Sequence, residues 1–119
     1  MEITIKHGQL IKFVDHDITE IGSNFLEEND TLVELVMSNL AHMGDYCFSW
    51  NKNIASLDLP KLTHMGSYCF LANNNLLSLD LPQLTHMGAF CFRSNENISS
   101  ANLPQLTHMG SHCFRWNKN

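Results

Sequence analysis

The string LTHMG occurs at Leu62, Leu84 and Leu106, and in altered form at Leu40 (LAHMG) and Ile18 (ITEIG), each restart 22 residues after the last. A fixed period of about twenty to fifty residues marks a chain whose units stack on one another instead of folding alone. That divides the 119 residues into units 18–39, 40–61, 62–83 and 84–105 and a partial unit 106–119, behind a leading segment 1–17. About three stacked units are the usual minimum for stability, and this chain exceeds it.

Within a unit, three kinds of position recur. Leu62, Met65, Cys69, Phe70, Leu76, Leu79 and Leu81 form the apolar set, and Leu84, Met87, Cys91, Phe92, Ile98, Ala101 and Leu103 repeat it. Its end, Leu76-x-x-Leu79-x-Leu81, alternates as a short strand with one buried face does. Pro60, Pro82 and Pro104 follow directly and stop the strand, having no N–H for a ladder. One glycine per unit (Gly22, Gly44, Gly66, Gly88, Gly110) predicts either a positive φ or a close approach between coils. An asparagine holds one place in every unit: Asn29, Asn51, Asn73, Asn95 and Asn117. Its amide can pair backbone groups of a turn, so a stack at a spacing of ~4.8 Å becomes an asparagine ladder.

The run LLSLDLP-QLTHMGAFCF-RSN, with its copies over roughly residues 10–119, resembles a leucine-rich repeat of the BspA-like, or Treponema pallidum, type. Two departures stand out: Cys replaces a small Ala before Phe, and the linker after Pro is one residue short. The resemblance implies an α/β-type repeat solenoid, mostly β. It would be right-handed, with a parallel concave sheet and short turns or 3-10 segments on the convex side. It also implies a non-catalytic role in binding other macromolecules.

Residues 1–17 do not read as a signal peptide, because Glu2, Lys6 and His7 interrupt any apolar core. They are expected to form an N-terminal cap: a strand at Ile3–Ile5, a turn at His7-Gly8, then Leu10, Ile11 and Phe13 in register with later strands. Asp15 stands where later units carry leucine, as a solenoid end exposed to solvent requires. The net charge of −5 belongs to this end: residues 1–34 hold eight acids and two bases, the remainder four and five. Glu20, Glu27, Glu28, Asp30 and Glu34 read either as a solvated end that keeps solenoids apart or as a contact for a basic partner. At the other end no polar cap follows Leu106, which predicts poor cover for Phe92, Ile98, Leu103 and Leu106. The chain is then either part of a longer array or a short terminus that manages without a cap, or else its C-terminal end docks onto a partner or onto a second copy, giving a homo-oligomer.

Chemistry is sparse. Cys47, Cys69, Cys91 and Cys113 recur at the repeat period, so they stack as a cysteine ladder of buried, reduced thiols, with no C-x-x-C pair for zinc. Free thiols without a leader, and no apolar run of membrane-spanning length, suggest a cytoplasmic location with no membrane role. His42, His64, His86 and His108 form a second column facing outward: a metal- or pH-responsive surface, or polar residues copied with the repeat. A Cys–His pair such as His64 with Cys69 recurs in every unit, whereas an active site is a unique constellation, so no catalytic residue and no cofactor is expected.

Binding is expected on the outward side of the strands. Val33, Ala55, Leu77 and Ser99 make one column, Glu34, Ser56, Ser78 and Ser100 the next, and Val36, Asp58, Asp80 and Asn102 the third. The face has no basic stripe for nucleic acid. Trp50 and Trp116 break the pattern at loop positions and read as interface anchors or as ordinary loop packing. The function expected is a protein-binding module, with a small inhibitor or effector as its sharper form. The other readings are a self-associating structural element and the histidine surface.

Overall fold

A computed structural model describes residues 1–114, so the expectations for Trp116 and Asn117 lie outside the described residues. The chain enters as a hairpin of β1 (Glu2–Lys6) and β2 (Gln9–Asp15). From there each coil contributes two short strands. The longer ones are β4 (Glu34–Met37), β6 (Ser56–Asp58), β8 (Ser78–Asp80) and β10 (Ser100–Asn102). The shorter ones are β3 (Glu20–Ile21), β5 (His42–Met43), β7 (His64–Met65), β9 (His86–Met87) and β11 (His108–Met109).

The result is a mostly-β solenoid. Pairing between coils is parallel, and each residue faces the one 22 positions on: Leu35 faces Leu57, and His64 faces His86. The strand face is formed by β1-β2-β4-β6 and a separate pair β8-β10, with no pairing joining β6 to β8. At that seam Leu57 is half-buried, while Leu35 and Leu79 in the same inward column are buried. The second sheet, β3-β5-β7-β9-β11, is continuous along the solenoid and had no place in the sequence reading. Turns fill the rest of the convex side, and no 3-10 segment occurs among the described residues.

The core is a stack of identical layers. Phe48, Phe70 and Phe92 are fully buried, their rings parallel with centroids 5.2 Å apart. Leu40, Leu62 and Leu84 form another fully buried column. Each such side chain contributes roughly 1.5–3 kcal/mol by leaving water. The expected exposure at the C-terminal end needs correction for two residues. Phe92 and Ile98 are buried, and the ring of Phe114 covers Phe92 at 5.5 Å. Leu103 and Leu106 are half-buried.

At the other end the hairpin caps the first coil. Asp15, paired with Met37 in the leucine column, is buried, and its Oδ1 accepts the N–H groups of Asp17 and Ile18 at 2.8 and 2.7 Å. Those backbone donors hold its carboxyl below the usual range, the Ile18 bond contributing most.

Candidate functional site

Four surfaces carry the residues singled out by sequence. On the strand face, alternation turns Leu35, Leu57 and Leu79 inward and Glu34, Ser56, Ser78 and Ser100 outward. Asp58, Asp80 and Asn102 are exposed in the next outward column, where Asn102 Nδ2 donates to Asp80 Oδ1 at 3.0 Å. Beside them runs an apolar edge in which Val33 is 38% and Leu77 62% exposed. Glu34 is taken up by Lys12, whose Nζ lies 2.9 Å from it, so the N-terminal part of this face is locally neutral. That carboxylate raises the Lys12 pKa.

The acidic residues do not form one patch. Glu27 accepts a hydrogen bond from Asn24 Nδ2, and Glu20 lines a hollow with His42. Glu28 and Asp30 instead meet Trp50 and Lys52 in an open cleft of about 250 Å³. Trp50 is 43% exposed there, so the structure brings together two features that the sequence offered separately.

On the second sheet the imidazoles of His42, His64, His86 and His108 stack at 4.8, 4.5 and 4.3 Å between centroids. The preceding threonine fixes the tautomer. Thr63 and Thr85 Oγ1 each donate their single hydrogen to the carbonyls of Ala41 and Thr63 at 3.0 Å. Their contacts with His64 and His86 Nδ1, at 2.9 and 2.8 Å, must therefore be accepted from Nδ1–H. Thr107 and His108 repeat the arrangement, whereas Ala41 leaves His42 without it. Among the described residues no group of three or more His, Cys, Asp or Glu is placed to hold a metal. Lost hydration and the charges of His108 and His64 push the His86 pKa below the usual imidazole value.

The thiols lie in the interior. Cys47, Cys69 and Cys91 are buried, and each Sγ–H donates to a glycine carbonyl of the previous coil, Cys69 to Gly44 at 3.1 Å and Cys91 to Gly66 at 2.9 Å. The neighbouring Cys47 and Cys91 thiols, together with burial, push the Cys69 thiol up. His64 is exposed and bound to Thr63, so no Cys–His nucleophile assembles with Cys69. The asparagine ladder is also internal: Asn73 Nδ2 donates to Phe48 O and Leu71 O at 3.3 Å, and Asn95 Nδ2 to Phe70 O at 2.8 Å. Asn29, with no equivalent coil beneath it, accepts from the Thr31 backbone and hydroxyl instead.

Sequence reasoning missed a third ladder along the convex side. Tyr68, Phe70 and Ala72 all have φ near +60°, and their N–H groups point alternately to the next, the previous and again the next coil. Tyr46, Phe48 and Trp50 do the same one coil earlier. Glycine is the usual signal for that conformation, and none marks these positions.

The 22-residue register, the buried Asn and Cys ladders and the capped first coil coincide with a family match over residues 9–119, in 6 copies, to the BspA type leucine rich repeat region. The chain belongs to that family. No curated protein and no solved structure matches it. BspA-type repeats are of the protein-interaction kind, and here the buried Cys47, Cys69 and Cys91 and the buried Asn51, Asn73 and Asn95 serve the stack. No helix among the described residues is long and apolar enough to cross a membrane.

Proposed function

We propose that the chain is a protein-binding scaffold whose strand face takes a partner segment carrying a basic side chain next to an apolar one. The observation that carries this reading is the exposed Leu77 on the same face as Asp58 and Asp80, one serine column away; neither acid has an ion-pair partner among the described residues, while Glu34 is already paired with Lys12. An apolar anchor next to carboxylates suits an Arg or Lys neighbouring a Leu or aromatic residue, and charge complementarity sets register and speeds encounter. A small inhibitor or effector would act this way, by occupying such a segment on its target. The free thiols suit a reducing compartment, so a cytoplasmic location is part of the proposal.

A second contact is supported by the Trp50 cleft, where Glu28 and Asp30 flank an exposed indole able to receive a cation over its face. The test is titration calorimetry of a partner recovered by affinity capture. Leu77→Asp and the double change Asp58→Lys with Asp80→Lys should each weaken binding at least about tenfold, roughly 1.4 kcal/mol or more, without shifting the melting temperature. Trp50→Ala measures the cleft separately. Unchanged affinity in the strand-face variants would move the site to the cleft.

A further inference from the structure

We propose that β1 pairs with the β1 of a second copy of this chain, antiparallel about a two-fold axis through Thr4. β1 closes one end of the order β1-β2-β4-β6, so one edge is paired with β2 and the other is open. The hairpin turn His7-Gly8 has φ of 53° and 75°, positive at both central residues as in a type I′ turn, and it joins Lys6 to Gln9. Lys6 therefore turns its backbone groups toward β2; the register shift between Thr4 and Ile5 puts its extra residue, Ile11, on β2, so alternation along β1 still turns the backbone groups of Ile5 and Ile3 toward the open edge. All five residues of β1 are exposed, Ile3 by 48% and Ile5 by 57%.

The sequence Glu-Ile-Thr-Ile-Lys is self-complementary when reversed. About an axis at Thr4, Glu2 lies opposite Lys6 of the second copy, Ile3 opposite Ile5, and Thr4 opposite itself. A parallel pairing would set Glu2 against Glu2, and a one-residue slip would set isoleucine against a polar residue. Among the described residues neither Glu2 nor Lys6 has an ion-pair partner within the chain. Ile3 is the cross-strand partner of Phe13, a core residue, so the two isoleucines lie on the inward side and would continue the apolar layer across the axis. The strand faces of both copies would join into one sheet of eight strands, β6-β4-β2-β1 followed by its two-fold mate. Such an interface is isologous and closed, giving a dimer and not a fibre.

The test is sedimentation equilibrium of the full chain over a concentration series. The wild type should show a monomer–dimer equilibrium. Ile3→Pro removes an N–H aimed at the open edge and leaves the hairpin ladder intact, so it should be monomeric with an unchanged circular dichroism spectrum. Glu2→Lys and Lys6→Glu should each raise the dimer Kd several-fold, and the two changes combined should restore it. A wild type that stays monomeric throughout, a dimer indifferent to Ile3→Pro, or a double variant no better than the single ones would overturn the proposal.

Discussion

Asp15 holds its place by satisfying backbone donors of the turn that follows it. Its carboxylate accepts from Asp17 and Ile18, and those bonds favour the charged form, so its folded pKa lies below the unfolded one. A depressed acid contributes stability that is present above the unfolded value, about 3.9, and is lost as pH falls through the folded one. Denaturant titrations should therefore show wild type more stable than Asp15→Asn at neutral pH. The gap should narrow once pH drops below the ordinary aspartate range, and a gap constant down to strongly acid pH would contradict this account. Asp15 was legible as a polar break in an apolar column; its hydrogen-bond partners were not, because they lie in the turn that follows. The Thr–His contacts were hidden for a similar reason: sequence places the residues side by side but does not say where the threonine hydrogen goes.

Coils approach one another closely at the glycine column. A Cβ on Gly66 would lie 2.6 Å from the carbonyl carbon and oxygen of Gly44 and 2.5 Å from Asp45 Oδ1, whereas one on Gly22 meets nothing within 4 Å. Backbone cannot yield as a side-chain tip can. Gly66→Ala should cost about 1–3 kcal/mol in urea denaturation, and Gly22→Ala should stay within about 0.5 kcal/mol of wild type. Equal effects at the two sites would refute close coil approach as the reason for this glycine. Of the two explanations that sequence allowed, close approach is the right one, and positive φ falls instead on non-glycine turn residues such as Tyr68, Phe70 and Ala72. Nothing in those side chains announces it. Each left-handed residue costs roughly 1–2 kcal/mol, which the hydrogen bonds between coils offset, and such a balance exists only once the coils are stacked. The strands β6, β8 and β10 were legible because alternation and proline are local signals; the two-residue His-Met strands were too short to show one.

At the scale of the whole molecule, neighbouring coils are held together by the His-Met sheet and the left-handed turns, and by the strand face everywhere but between β6 and β8. Periodicity alone made the solenoid and its interior legible, since one unit repeated in register stacks each residue on its counterpart. It could not make the proposed binding surface legible to the same degree. Pairing of Glu34 with Lys12, and the meeting of Trp50 with Glu28 and Asp30, depend on contacts between different coils. The ladder of turns is the feature on which this architecture differs most from a strand face closed by loose loops. Residue-resolved amide hydrogen exchange tests it directly. The N–H groups of Tyr68, Phe70 and Ala72, bonded to Ala89, Cys47 and Arg93 at 2.8, 3.1 and 2.8 Å, should be protected to a degree comparable with Gly66 and Leu81, which bond between coils directly after β7 and β8. Rapid exchange at those turn amides, with protection confined to the strands, would contradict the stacked-coil account.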